Sequence, residues 1–443
     1  MAGVIYRYEI IVEGVARLIY VENLILGAGI SGLAAAQKLH ELNKDYCLIE
    51  KADHIGGLCS SFKINDFVFD SFIHLSFTTN EFVRRYFDSI PYIIHIPNPM
   101  NYYHGMWIKH PAQNNLYPLS EQEKALVLNG LYNREKYADK WAKDYDNWLR
   151  YQFGDYFAEH FSLVYTKKYW AENASNMETK WVGNRIYQPS LEEIKQGMNT
   201  METPVTYYAK EMRYPKSEGF EHYLKNFTHL DKIRIKEEVI YINPQKHIVS
   251  TNENDYKYKQ LYSSIPLPEY KKIICNTQLS DSFFEAISRL HWTGGYLLSF
   301  GCTGSIPRTD LWDYVYDEDI LVSRYYSPSL MSKKTVPEGC YSLQAEIYTK
   351  DGNTYNEEDG LLEKTIEQLD RIGALRSKDI IVKDIRFVKY CNILFDHKIY
   401  ESRERAISEL KKNHIIPIGR FGEWAYYWSD QSFLSGYNAV ELL

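Results

Sequence analysis

The sequence predicts an α/β protein of several domains, in which a parallel βαβ unit is joined to an inserted helical region and to a second, antiparallel sheet. Three observations predict this. An apolar run, Val21 to Leu26, ends in Gly27-Ala28-Gly29-Ile30-Ser31-Gly32, and Leu33, Ala36, Leu39 and Leu42 then recur at helical spacing. Between about 118 and 200, Trp141, Tyr145, Trp148, Leu149, Gln152, Phe153, Tyr156 and Phe157 follow an i, i+4, i+7 pattern, which predicts amphipathic helices. Between about 285 and 400, β-type runs such as Gly295 to Phe300, Tyr341 to Ile347 and Ile380 to Val388 lie between Pro and Gly turns.

Taken in order, residues 1–20 carry Arg7, Glu9, Glu13 and Arg17, which interrupt any apolar leader core. They read as an extra strand or an extension without assigned function. Asp45 to Glu50 reads as a buried strand, so residues 21–50 form one βαβ unit whose right-handed crossover makes its strands parallel neighbours. Near the end, Ile415 to Arg420 reads as a returning strand and Asp430 to Leu443 as a closing helix.

Composition narrows the classes of function. The 443 residues, 45% hydrophobic and 25% charged, are those of an ordinary folded chain. With 51 Lys plus Arg against 58 Asp plus Glu, the formal net charge is -7, so no basic field exists to attract nucleic acid or an anionic membrane. The apolar stretch Leu24 to Ala36 is far shorter than the ~20 residues of a membrane span, so no integral membrane segment is expected. Six scattered cysteines without a C-x-x-C pair argue against a disulfide framework and for a cytoplasmic location. No metal site is expected, and monomer and homodimer are equally compatible with the sequence.

The glycine turn carries the first chemistry. Gly27, Gly29 and Gly32 permit a tight turn and close backbone approach to a pyrophosphate. The helix that follows, beginning near Ser31, directs N-H groups and about half a positive charge at it. Glu50 ends the second strand, where a carboxylate accepts hydrogen bonds from a ribose hydroxyl pair and disfavours a 2'-phosphate. The continuation Lys51-Ala52-Asp53-His54-Ile55-Gly56-Gly57 separates a flavin from a nicotinamide dinucleotide, because a second glycine pair lets the backbone pass close to an extended FAD. Gly419-Arg420, read as closing a strand, and Asp430-Gln431-Ser432, read as opening a helix, would meet the ribityl-phosphate arm.

With these motifs in place, the chain resembles the family of FAD-dependent UDP-galactopyranose mutases, within the wider amine oxidase and protoporphyrinogen oxidase group. The resemblance runs from about residue 22 to 443. It rests on Gly56-Gly57 with Asp70 and His74, Lys168-Tyr169-Trp170-Ala171 and Trp181-Val182-Gly183-Asn184-Arg185. It also rests on Arg213-Tyr214-Pro215-Lys216, Ser264-Ile265-Pro266-Leu267-Pro268 and the run Gly419 to Tyr426. The amine oxidases share only the first and last parts, so the middle motifs favour the mutases.

The resemblance implies a Rossmann-like FAD-binding domain (22–79, 212–284 and 410–443), an inserted helical domain (117–205) and an antiparallel-sheet substrate domain (80–116 and 285–409). It implies isomerisation of a nucleotide-sugar between pyranose and furanose forms, for cell-surface polysaccharide, with FAD active when reduced. In that family the reduced flavin's N5 attacks the anomeric carbon and the nucleoside diphosphate leaves. By the same resemblance Arg324 and Arg185 would meet the diphosphate, with Arg185 on a helix. Tyr314 and Tyr426 would donate phenolic hydrogen bonds to it, Trp170 would line the cleft, and His74 would lie against the isoalloxazine. Lys51, Leu58, Val239 and Arg420 would touch the cofactor.

The chain departs from the pattern twice. The family has two glycines before the histidine, where this chain has Phe72 and Ile73, which should stiffen that loop. A diphosphate-binding tyrosine is replaced by Asn392, unless a register shift brings Tyr390 there. Two other functions compete: an FAD oxidase or dehydrogenase, which needs no diphosphate clamp, and a flavin-binding paralogue without turnover.

Overall fold

The computed structural model describes residues 17–207, 209–275, 277–355 and 358–440. The chain divides into two units, each with its own sheet. The first comprises residues 17–57, 227–288 and 402–440, and the second residues 58–226 and 289–401.

In the first unit, strand Arg17–Leu26 lies between Asn254–Ser263 and Tyr46–Ile49, parallel to both, with helix Ile30–Glu41 crossing between the two strands of the βαβ pair. The strand is longer than the expected Val21 to Leu26, because Arg17 to Tyr20 extend its pairing with Asn254 to Lys257. Residues 1–16 of the expected extension lie outside the described residues. The full sheet runs Val239–Asn243, Ile248–Thr251, Asn254–Ser263, Arg17–Leu26, Tyr46–Ile49, Ile233–Arg234, with Ile415–Pro417 added parallel to Asn254–Ser263. Leu24 to Leu26 and Cys47 to Ile49 are buried, which accounts for runs without polar alternation. Gly419 and Arg420 do not close a strand as expected. The strand ends at Pro417, and Gly419–Gly422 is a helical turn. The closing helix is Ser429–Ala439.

In the second unit seven strands run Ile380–Ile393, Trp292–Thr303, Cys340–Lys350, Arg324–Tyr326, Trp312–Val315, Met100–Tyr103, Met106–Lys109. The three β-type runs of the sequence are the three longest of these strands. All neighbours are antiparallel except Trp312–Val315 with Met100–Tyr103, which is parallel. One face carries Tyr296, Leu298, Phe300, Leu343, Ala345 and Ile347, packed against Ile366 and Leu369.

The helical region is less continuous than its periodicity suggests. Trp141 lies outside any helix and is exposed, because Asp144 caps the next one by accepting from Asn147 N-H. Helix Tyr145–Phe153 stops at Gly154, whose φ of 75° suits glycine; a Cβ there would lie 2.4 Å from the Gly130 carbonyl carbon. After Asp155–Phe157, one π-helical stretch, Ala158–Ser162, precedes Leu163–Trp170.

Asp155 ties this region together by accepting from Lys136 Nζ (2.6 Å), Tyr137 Oη (2.6 Å) and Arg150 Nη1 (3.0 Å). Partial burial pushes its pKa up, but these donors outweigh it and hold the carboxyl at about 2, below the ordinary 3.8. A depressed folded pKa contributes stability that is present above the unfolded value and lost on acidification. The melting temperature of the wild-type protein is therefore expected to fall between pH 3.8 and about 2 more steeply than that of Asp155→Asn, as read by circular dichroism.

Candidate functional site

The first unit holds a cradle built of backbone. Gly27 has φ 96°, and its N-H donates to the Ile49 carbonyl (2.8 Å), which closes the turn between the two strands. A Cβ on Gly32 would lie 1.9 Å from the Gly27 carbonyl oxygen, so the helix can start this close to the turn only with glycine there. Gly29 differs: a Cβ on it would meet nothing within 4 Å. Gly29 is also the helix cap, with no side-chain acceptor and no acid in the first turn. Open space before a helix start without an anionic cap is what a pyrophosphate requires.

The second glycine pair packs directly on the first. Gly56 N-H donates to the Ala28 carbonyl (2.8 Å), and a Cβ on Gly57 would lie 3.2 Å from Gly29 Cα. Glu50 is oriented by two backbone donors, Ala28 N-H to Oε2 (2.7 Å) and Ala52 N-H to Oε1 (2.8 Å), which leave further acceptor capacity on each oxygen. Ser31 sits where three segments meet: a Cβ on Gly419 would lie 2.3 Å from its Oγ and one on Gly436 1.8 Å from its carbonyl oxygen. Gln431 Oε1 accepts from Trp428 N-H (3.0 Å), and Ser432 is buried in the same helix start. The Arg420 guanidinium lies 4.9 Å from the Tyr426 ring, Val239 opens its strand, and Lys51 is exposed. Leu58 falls in the second unit. The donor set and the open cradle fit a dinucleotide.

The second unit holds a polar row in the middle of its sheet. Strand register places Tyr314 opposite Arg324 and Arg324 opposite Glu346, so the three are neighbours across three strands. Glu346 Oε2 accepts from Arg324 Nε (3.0 Å) and Nη2 (2.6 Å). Burial disfavours the guanidinium charge, but Glu346 outweighs it and holds the Arg324 pKa well above the usual value. Arg324 Nη1 has no protein hydrogen bond among the described residues, which leaves that edge of the fork for a ligand.

Aromatic rings surround this row. The Tyr169 ring lies 5.8 Å from the Arg324 guanidinium, and Tyr169 Oη donates to Asn392 Oδ1 (3.4 Å). Asn392 therefore joins the cluster, while the Tyr390 ring packs on Trp292. Tyr165 meets Tyr314 edge to face at 5.4 Å, and its buried hydroxyl has no partner among the described residues. His110 covers Tyr314 at 4.6 Å, its pKa pushed down to about 3 by burial, so it stays neutral there. Lys168 Nζ donates to the Val315 and Asp317 carbonyls (2.7 and 2.9 Å) and fixes the end of the Tyr314 strand; burial lowers its pKa to about 7.

One expected site residue, Arg185, is placed differently. Arg185 is on a turn, not a helix, because Gly183 with φ 48° breaks the chain there; its Nη1 donates to the Trp181 carbonyl (3.2 Å). Trp170 is 4% exposed, packed on Trp181 and Phe395, and so shows little surface to a ligand. His74 lies on a loop, with Nδ1-H donating to the Phe72 carbonyl (3.2 Å) and its ring against Phe220. Sequence reasoning missed Glu346, Tyr348, Tyr165 and His110. For Glu346 no local signal existed: it alternates with Ser342 and Gln344 against the apolar Tyr341, Leu343, Ala345 and Ile347, which reads as the solvent side of a half-buried strand, yet all three polar residues are buried.

Comparison with known proteins accords with this architecture. Residues 25–90 match the model of an NAD(P)-binding Rossmann-like domain. Among solved structures, the chain is similar to a reduced UDP-galactopyranose mutase (TM-score 0.88, 24% identity, covering 95% of this chain and 93% of that one). It is also similar to a candidate protoporphyrinogen oxidase from Exiguobacterium sp. 255-15 (TM-score 0.72, 16% identity, covering 97% and 99%). A third likeness is to cyclohexylamine oxidase from Brevibacterium oxydans IH-35A (TM-score 0.68, 14% identity, covering 95% and 98%). The chain thus has the α/β fold shared by these proteins, with a Rossmann-like dinucleotide-binding part. No helix among the described residues is long and apolar enough to cross a membrane.

Proposed function

We propose that this protein binds FAD in its first unit and, with the flavin reduced, isomerises a nucleoside-diphosphate sugar between pyranose and furanose forms. The observation that carries the reading is the Tyr314, Arg324, Glu346 row, with a guanidinium edge and, beside it, the Tyr165 hydroxyl that no described residue engages. The likeness to a UDP-galactopyranose mutase supports it.

A reduced flavin supplies a nucleophilic nitrogen for exchange at an anomeric carbon. The protein's own part is to receive the charge that gathers on the diphosphate as its bond to that carbon breaks. Arg324 Nη1 and the Tyr165 and Tyr314 hydroxyls are donors for that charge, held in place before the bond breaks and shielded from water by the surrounding rings. Tyr426, Asn392, Arg185 and Trp170 are assigned to substrate, and His74 to the flavin. In the first unit the cradle at Gly29 takes the pyrophosphate and Glu50 the ribose; Lys51, Val239, Arg420 and the helix start at Asp430 complete the contacts. We place the reaction in the cytoplasm, supplying furanose units for a surface polysaccharide.

The test is anaerobic incubation of the holoprotein with UDP-galactofuranose, with and without dithionite, followed by chromatography of the nucleotide-sugars. Interconversion is expected only after reduction. The names of two structural neighbours are those of oxidases, and that alternative predicts instead that an amine or cyclic substrate bleaches the oxidised flavin. Bleaching without interconversion would replace the isomerase reading.

A further inference from the structure

Glu346 is fully buried, and its two oxygens serve different parts of the second unit. Oε2 takes Arg324 and also the Tyr348 hydroxyl (2.7 Å), while Oε1 accepts from the backbone N-H of Ile73 (3.3 Å). Gln344, two residues earlier on the same face of the strand, holds the start of the same loop. Its Oε1 accepts from Asp70 N-H (3.0 Å), and its Nε2 donates to the Asp70 carbonyl (3.0 Å). One strand thus grips the 70–73 segment through consecutive inward side chains.

The loop is held in a conformation it would not adopt alone. Phe72 has φ 71°, a left-handed backbone that costs a bulky L-residue about 1–2 kcal/mol. Its ring is buried on Tyr348 (centroids 6.0 Å apart, 17° between planes). The space for both rings comes from Gly295, where a Cβ would come within 3.2 Å of Phe72 Cζ and 3.1 Å of Tyr348 Cδ1. The Phe72 carbonyl then accepts from His74 Nδ1-H. Two paths therefore lead from the loop to Arg324, one through Ile73 and Glu346, the other through Phe72, Tyr348 and Glu346. A buried acid paired with Arg324 cancels charge, so its contribution to anion binding is orientation: it occupies Nε and Nη2, while no described residue engages Nη1.

We propose that Glu346 is a positioning residue that sets the Arg324 fork and the 71–74 loop bearing His74 in one joint arrangement, so that neither shifts without the other. The proposal rests on the reading in which Arg324 meets a nucleoside diphosphate. Its test uses the holoprotein, with UDP as the calorimetric probe and amide hydrogen exchange as a readout that needs no turnover. Glu346→Gln is expected to weaken UDP binding about tenfold and to speed exchange of amides 71–75 about tenfold, with the 380–390 strand unchanged. In an Arg324→Lys background, Glu346→Gln should change UDP affinity less than twofold, because its effect passes through the arginine. Arg324→Lys and Tyr348→Phe should each speed exchange at 71–75; they keep charge or packing and carry the test if Glu346→Gln does not fold. Unchanged exchange at 71–75 in Arg324→Lys and Tyr348→Phe, or equal exchange increases throughout the second unit, would overturn the coupling. Wild-type protein that binds no UDP would refute the diphosphate reading, while the exchange results would still decide the coupling.

Discussion

Replacing Arg324 by alanine is expected to slow interconversion by at least ~100-fold, because a preorganised donor to developing charge contributes about that much. The same change leaves the Glu346 carboxylate buried without its cation, and losing one partner of a buried pair costs about 3–5 kcal/mol. Chemical denaturation and turnover should therefore both respond. Arg324→Lys separates the two effects. An ammonium can neutralise Glu346 and recover most of the stability, but it lacks the second arm of the fork and should recover little of the rate. A variant that loses stability and keeps wild-type turnover would leave Arg324 a purely structural ion pair.

Gly32→Ala is expected to be one of the most damaging single methyls in the first unit. The added Cβ would meet the Gly27 carbonyl oxygen at 1.9 Å and the Gly27 carbonyl carbon at 3.1 Å, both backbone atoms that no rotamer change can move. Relief requires the helix to back away from the turn, which also disturbs the meeting of Ser31 with Gly419 and Gly436. Overpacking costs about 1–3 kcal/mol and occasionally more, and the variant should emerge without flavin and with a lowered melting temperature. Gly29→Ala is the informative contrast. Its φ of -70° is ordinary, and its Cβ meets no protein atom within 4 Å, so the fold should persist. If the open space takes a pyrophosphate, Gly29→Ala melts like wild type and yet retains far less flavin, as read from visible absorbance. Full flavin retention would place the cofactor elsewhere.

What the sequence made legible was what lies close along the chain. Gly27, Gly29, Gly32 and Glu50 are set by one strand, one turn, one helix and the next strand, and local spacing is enough to place them. The Arg324 and Glu346 pair depends on the register of two strands separated by a helix and a loop, which no local pattern encodes. Arg185 lies on a turn because Gly183, at φ 48°, breaks the helical run, and Trp170 packs on Trp181 and Phe395, partners that local spacing does not reveal. Phe72 and Ile73 are legible in the sequence as bulky residues, but how the structure accommodates the Phe72 ring is not. It lies in Gly295, a residue more than two hundred positions away that offers no side chain where the rings need room.

The order in which the first unit is threaded sets its biogenesis. Its opening stretch ends at residue 57, yet strand Ile415–Pro417 and the glycines that close on Ser31 lie far along the chain, beyond the second unit's segments. A nascent chain emerging at ~5–20 residues per second can fold units as they become complete, but here Arg17–Leu26 must wait for Asn254–Ser263, and Tyr46–Ile49 for Ile233–Arg234, until the whole 58–226 segment of the second unit has been made. On the proposed reading, the coenzyme's cradle is complete only once Gly419 and Gly436 have closed on Ser31, and a chain cut short of them is left with an unfinished nucleotide pocket.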